Sequence, residues 1–312
     1  MGSPTLLTVT ETGVDVRGPE APGAAAPTGG EPLRRRPALS PSRAADFKQC
    51  PLLYRFRAID RLPETPSRPQ LRGTLVHAVL ERLFELPAAE RVPEAAAGLV
   101  GPVWAGLVAE APELVTALFT GPEDPELTEW LASTGPLIDT YFALEDPRRL
   151  EPEARELRVE TELGSGLLLR GIVDRLDVAR TGQIRVVDYK TGAAPRPVAE
   201  ARALFQMKFY ALALLHLRGE VPAQLLLLYL ADGQCLTYRP EEDELRRFER
   251  TLDAIWAAVM EAGRTGDFRP SRGPACAWCD HKALCPAWDG TPPPYPGWPG
   301  TDSAEDARTA EE

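Results

Sequence analysis

The sequence predicts an α/β fold in which a mixed central sheet is flanked by helices, and three observations carry that prediction. Apolar residues recur at helical spacing from Leu71 to Leu86, and the Ala/Leu-rich stretch Val92 to Phe142 is helical in character. Period-two alternation takes over between Glu156 and Tyr189. A helix, two strands and a final helix follow, an order of elements that belongs to α/β architecture. The 312 residues suit one large domain, or one domain carrying an insertion.

Each element has a local cause. Ser40-Pro41 offers an N-cap followed by proline at the first helical position, so a helix starts there and runs through SPSRAADFKQCPLLYRFRAI, kinked near Pro51. Leu75, Val79, Leu83 and Leu86 share one face of the second helix. Gly-Pro and Ala-Pro pairs break residues 87–150 into a helical insertion. Glu156 to Leu163 and Leu167 to Val178 alternate around Gly164-Ser165-Gly166, which predicts a β-hairpin. Ile184 to Tyr189 is a third strand, ended by Thr191-Gly192, and Val198 to Leu217 is a helix. Gln224 to Leu230 and Cys235 to Tyr238 are strands joined at Ala231-Asp232-Gly233, and the last helix spans about Glu241 to Ala262.

Proline, 32 residues in all, crowds the two ends, so residues 1–37 and 287–312 are expected to be disordered. The folded unit is expected over 38–286. Leu225 to Leu230, the longest apolar run, is too short for a bilayer, and no charged-then-apolar leader opens the chain, so the expected location is cytoplasmic.

The net charge of −11 argues against a nucleic-acid partner, but its distribution matters more than its sum. From Ala287 onward there are six acids and one arginine, while Arg43 to Arg72 holds seven basic residues against three acids. Such a stretch can track phosphates, or can simply be a solvated face; Arg43, Arg55, Arg57, Arg61 and Arg72 are its candidate contacts. Only four of the 35 basic residues are lysine, so each lysine is informative: arginine serves generic surface roles, and lysine supplies a compact point charge.

Asp174 in RGIVDRLDV and Asp188 in IRVVDYKTG sit late in neighbouring apolar strands, where a carboxylate is expensive unless its charge is offset. Strand periodicity puts Asp188 and Lys190 on one face. A hard divalent cation takes a few such oxygens, and an adjacent lysine can offset charge that builds on a phosphate under attack. A lone D-x-K is more often a surface ion pair. Here Asp174 can face Asp188 across the ladder, Gln206 and Tyr210 lie at i and i+4 on the following helix, and His77 interrupts an apolar helix in RGTLVHAVLE.

Together, RGTLVHAVLE, GIVDRLD, VVDYKTG and Q-x3-Y resemble the RecB-like branch of the PD-(D/E)XK nuclease superfamily, over about Leu39 to Pro286. The resemblance implies a restriction-endonuclease-like core and a Mg²⁺- or Mn²⁺-dependent DNA phosphodiesterase. His77, Asp174 and Asp188 would hold the metal, with the Tyr189 backbone carbonyl as a further ligand. Lys190 would be the catalytic lysine, and Gln206 and Tyr210 would stand beside it.

Five cysteines in a chain expected to be cytoplasmic argue against disulfides. Cys276, Cys279 and Cys285 form C-x2-C-x5-C within residues 270–286, Cys50 lies far upstream, and Cys235 is expected to be a small buried strand residue. Structural zinc favours two close pairs, so three cysteines plus one distant favour a [4Fe–4S] cluster, with zinc or unliganded thiols as alternatives. The pattern also resembles the iron–sulfur-staple nucleases, both the AddB-type repair enzymes and the CRISPR adaptation nucleases. His281, inside the cysteine loop, is expected at the surface.

The expected activity is exonucleolytic, on single-stranded DNA ends in repair or recombination. No G-x4-G-K-[ST] loop occurs, so unwinding would fall to a partner helicase or another repair protein. CRISPR adaptation, or a non-cutting DNA-binding or assembly module of the same fold, are the alternatives.

Overall fold

The computed structural model describes residues 36–195 and 200–299. By its internal contacts the chain divides into Met1–Arg35 and Arg36–Glu312, and the fold is that of the second unit. The expectation for the first 35 residues lies outside the described residues, as does that for residues 300–312.

Helix α1 (Pro41–Gln49) is capped by Ser40, whose Oγ accepts the Arg43 N–H at 3.3 Å. Cys50 is extended, and Pro51 restarts the chain as α2 (Pro51–Tyr54), which widens into a π turn over Arg55–Ile59. Helix α3 (Arg68–Leu83) begins three residues before the periodicity predicts, because Ser67 caps it and Pro69 fits its first turn. Helices α4 (Pro93–Glu110), α5 (Glu113–Leu118), α6 (Pro125–Ala132) and α7 (Gly135–Leu144) follow. Then come β1 (Ala154–Glu162), β2 (Leu168–Val178), β3 (Ile184–Lys190), α8 (Glu200–Arg218), β4 (Gln224–Tyr229), β5 (Gln234–Tyr238) and α9 (Glu242–Thr265).

The five strands lie in sequence order. β1, β2 and β3 form an antiparallel meander, α8 carries the chain over to β4 parallel to β3, and β5 returns antiparallel. The sheet is therefore mixed, as expected. Alternation explains its two covers. Leu225, Leu227 and Tyr229 face a core built with Met207, Phe209 and Leu212 of α8, Leu245 and Leu252 of α9, and Ala44 of α1. Leu226, Leu228 and Leu230 face Leu75, Val76, Val79 and Leu80 of α3, together with residues of α4 and α7. Burying each such side chain contributes about 1.5–3 kcal/mol. A continuous leucine run is thus stable only in a strand covered on both sides.

A third cluster joins Tyr54 and Phe56 to Val259 and Phe268, with Tyr295 and Trp298 packed on it. The Tyr295 hydroxyl donates to the Gly263 carbonyl at 2.7 Å. Disorder from residue 287 onward therefore does not hold for residues 287–299: two aromatic side chains in this proline-rich stretch find an apolar seat on α9.

Candidate active site

Strand register brings the acids together. In the β1–β2 ladder Arg155 faces Arg175 and Leu157 faces Val173, which leaves Glu156 opposite Asp174. Between β2 and β3 the ladder stops at the pair Arg175 and Val187, and one step further sets Asp174 opposite Asp188. Three carboxylates therefore form one row across β1, β2 and β3. Asp174 Oδ2 accepts the Tyr189 N–H at 2.8 Å, so a side chain takes the place of the next ladder bond where the strands part. Glu156 has φ 44, left-handed backbone inside a strand, which costs a non-glycine residue roughly 1–2 kcal/mol. Backbone strain of this kind clusters at functional sites.

His77, on α3, completes the group. Its Nε2 lies 2.9 Å from the Tyr189 carbonyl oxygen and its Nδ1 3.4 Å from Asp174 Oδ2. Ligand atoms of His77, Glu156 and Asp174 all lie within 4.8 Å of one another, the one such group among the described residues. Asp188 is 1% exposed, and its Oδ2 stands 2.7 Å from Lys190 Nζ. Its Oδ1 is buried with no hydrogen-bond partner among the described residues, an expensive state for a carboxylate oxygen. Lys190 Nζ also donates to Gln206 Oε1 at 2.9 Å, and Gln206 Nε2 donates to the Tyr210 hydroxyl at 2.9 Å. The lysine is thus fixed from both sides. The Tyr210 ring packs close against β2 because residue 171 is glycine: a Cβ there would meet the ring at 2.8 Å.

Burial, followed by the charge of Asp188, pushes the Asp174 carboxyl up to about 8. Burial and then Asp174 push Glu156 up to about 7. Burial lowers His77, against the opposing pull of Asp188 and Glu156, so its ring is held in the neutral form that can ligate a metal. Behind the site, Arg175 is fully buried and donates to Glu145, Asp177 and the Tyr189 hydroxyl at 2.8–3.0 Å. That clamp holds the residue between Asp188 and Lys190.

The structure brings together His77, Asp174, Asp188, Lys190, Gln206, Tyr210 and the Tyr189 carbonyl. Sequence reasoning missed Glu156. The signal was present: a hairpin closed at Gly164–Gly166 sets residue 156 against residue 174.

The cysteines lie apart from this group. Cys50 Sγ accepts the Ser271 N–H at 3.3 Å, and Cys276 Sγ accepts the Gly273 N–H at 3.4 Å. The Cys279 thiol is pushed up by burial and also by Cys50, Cys276 and Cys285, which places all four in one neighbourhood. Two expectations are corrected. Cys235 is exposed, on β5 at the edge of the sheet. His281 is 3% exposed; its ring packs edge-on against Phe56 and its Nε2 lies 3.2 Å from Glu64 Oε1.

The basic segment is also corrected in part. Arg55 is 5% exposed, paired with Asp60 at 3.0 Å and donating to the Pro293 carbonyl, so it is withdrawn from any phosphate. Arg57 is held between Asp46 and Glu64 at 2.6 Å each, which offsets its charge. Arg43 donates to the Ala38 carbonyl, Arg61 is exposed, and Arg72 is half-buried in the first turns of α3. Of the seven basic residues in this stretch, Arg55, Arg57 and Arg68 are taken up by ion pairs in the fold.

A mixed sheet that parts at a row of acids, with a lysine and a histidine facing them, has the donors that could hold a metal ion. The chain belongs to the PD-(D/E)XK nuclease superfamily, whose family model matches residues 38–286. It is 26% identical over 270 residues to the "Gene 69 protein" of Mycobacterium phage D29, covering 81% of this chain and 97% of that one. In three dimensions it is similar to the crystal structure of a "Putative exonuclease" from Eubacterium rectale. The TM-score is 0.52 at 14% identity, over 78% of this chain and 87% of that one, a likeness of fold. Among the described residues no helix is long and apolar enough to cross a membrane.

Proposed function

We propose that the chain is a divalent-metal-dependent DNA nuclease of the RecB-like branch, cutting single-stranded ends as an exonuclease in repair or recombination. The observation that carries the reading is the pairing of a buried, partly unpartnered Asp188 with Lys190, beside the His77–Glu156–Asp174 group. Carboxylates, a carbonyl and one neutral imidazole suit Mg²⁺ or Mn²⁺, and a cation would satisfy the orphaned Asp188 oxygen. His77, Glu156, Asp174, Asp188 and the Tyr189 carbonyl would hold it. When bound, the ion supplies Lewis-acid stabilisation of charge on the phosphate. Lys190, fixed by Asp188 and Gln206, presents a preoriented ammonium to the phosphoryl oxygens as water attacks phosphorus and the leaving oxygen departs. Gln206 and Tyr210 hold that ammonium in place.

Asp188→Ala and Lys190→Ala should each lower kcat on labelled single-stranded DNA with Mg²⁺ or Mn²⁺ by ~10²-fold or more, while the protein stays folded. Wild-type rates in either folded variant would remove the assignment. Lys190→Arg tests whether a generic cation suffices.

A [4Fe–4S] staple on Cys50, Cys276, Cys279 and Cys285 belongs to the same reading. Here burial raises the Cys279 thiol, and Cys50, Cys276 and Cys285 all raise it further, so the four can serve one group, and three clustered ligands with one distant in sequence favour the cluster over two close zinc pairs. Its backbone N–H donors to Cys50 and Cys276 also suit thiolates. Anaerobically purified protein should be brown with about four irons per chain. Cys50→Ser should bleach it and Cys235→Ser should not. Colourless protein holding one zinc ion would overturn the staple and leave the nuclease reading intact.

A further inference from the structure

Trp278 is 81% exposed, at the tip of the loop between Cys276 and Cys279. An exposed indole of that degree is unusual and marks an interaction site more often than a fold requirement. Ten residues on, Trp288 is 42% exposed, with Lys282 Nζ 4.1 Å and the Arg272 guanidinium 4.8 Å from its ring centre. Between Asp267 and Asp289 the segment holds Arg269, Arg272 and Lys282; Arg269 pairs with Asp267 at 2.8 Å, so Arg272 and Lys282, at the Trp288 ring, are its cations left for a phosphate. Flat aromatic faces interleaved with cations are what a single strand of nucleic acid needs: a surface for bases and charge for phosphates.

The cysteine loop is also joined to the segment that leads into α3. His281 bonds Glu64 and Asp280 accepts the Thr65 N–H at 3.2 Å, which seats the cysteine loop against the segment after the π turn. Glu64 lines an open groove of about 470 Å³ that Arg43, Arg57 and Gln70 also line. Gln70 and His77 are seven residues apart on α3, about 10 Å along the helix. The groove therefore connects the cysteine loop to the helix that carries His77.

We propose that Trp278 is a base-stacking platform for single-stranded DNA, whose path follows this groove to the metal-binding acids. The proposal rests on the nuclease reading and adds where the strand is held. Its charge and aromatic content fit a strand with unpaired bases, since duplex DNA offers phosphates but no free base faces.

The test is fluorescence anisotropy of a labelled oligothymidylate of about 16 nucleotides without divalent metal, on wild-type protein, Trp278→Ala and Trp278→Phe. Trp278→Ala should weaken binding roughly 5- to 150-fold, and Trp278→Phe should retain most of it. Affinity for a blunt duplex should change little, as should hydrolysis of a small chromogenic phosphodiester. Lys282→Ala should lessen the salt dependence of oligothymidylate binding by about one unit of slope. Equal affinity of wild type and Trp278→Ala, with cleavage of single strands intact, would overturn the platform alone. Wild-type protein that neither binds nor cuts single strands would remove the platform and the single-strand reading together.

Discussion

Glu156, Asp174 and Gly171 show how much of the site depends on single positions in two strands. The acids stand in one row, and their mutual repulsion is tolerated because His77, Lys190 and the Tyr189 N–H surround them. Gly171 acts at one remove. It admits the Tyr210 ring against β2, and Tyr210 accepts from Gln206, which in turn fixes Lys190. Tyr210 is 5% exposed and packed into the core, so its ring has little room to yield. Gly171→Ala should therefore shift Tyr210, then Gln206 and the lysine. The expected outcome is a fall in kcat of about tenfold or more with a smaller change in KM, because positioning errors near 1 Å are costly in the reacting geometry. Urea unfolding should show a loss of about 1–3 kcal/mol from overpacking. Unchanged kcat in a folded variant would show that the lysine does not depend on this relay.

At the scale of elements, strands were more legible than their surroundings. The hairpin, the third strand and the leucine run announced themselves through alternation and turn residues, and the acids followed because register is arithmetic once a turn is placed. Asp174 and Asp188 could be paired from sequence, and Glu156 could have been by the same arithmetic. Its left-handed backbone could not, since nothing in ARELRVETE marks a φ of 44. The start of α3 was misplaced because apolar periodicity begins at Leu71, whereas the helix begins at a polar cap and a proline. The cationic stretch Arg43 to Arg72 is narrowed, at Arg55 and Arg57, for a different reason. Asp46, Asp60 and Glu64 are local acids, and only the turn through Arg55–Ile59 decides which arginine they reach. Composition also misjudged residues 287–299: proline content argues for an open chain, while two aromatic side chains with an apolar seat argue for packing, and packing won.

For the whole molecule, the acid row makes stability depend on pH and on divalent cations together. Burial and neighbouring acids push Glu156 up to about 7 and Asp174 up to about 8 in the folded chain, both above their ordinary range. An acid raised in this way is bound to its proton in the folded state after the unfolded chain has released it. The metal-free protein should then lose stability as pH rises through that interval, and level off above it. His77 works in the opposite sense, because its lowered value penalises the fold only where the unfolded imidazole is charged, below about 6.5. Surface acids pulled down by ion pairs, such as Glu162 beside Arg36, act lower still, below about 4.5. Between about pH 6.5 and 8 the two site acids therefore govern how stability changes with pH. Thermal unfolding in EDTA should show Tm falling across that window. Saturating Mg²⁺ should reverse the trend, since a cation competes with the protons and binds the folded row. At a concentration near 100 times Kd the gain is about 2.7 kcal/mol, on the order of 5–10 °C for a domain of this size. The Mg²⁺ shift should be large at pH 8 and small at pH 6, because below the titration range protons occupy the carboxylates. Glu156→Gln should remove part of the slope and part of the shift, which separates the site from the background of other ionisable groups. A Tm that is flat in EDTA and indifferent to Mg²⁺ at pH 8 would mean that the row of acids is not a cation site.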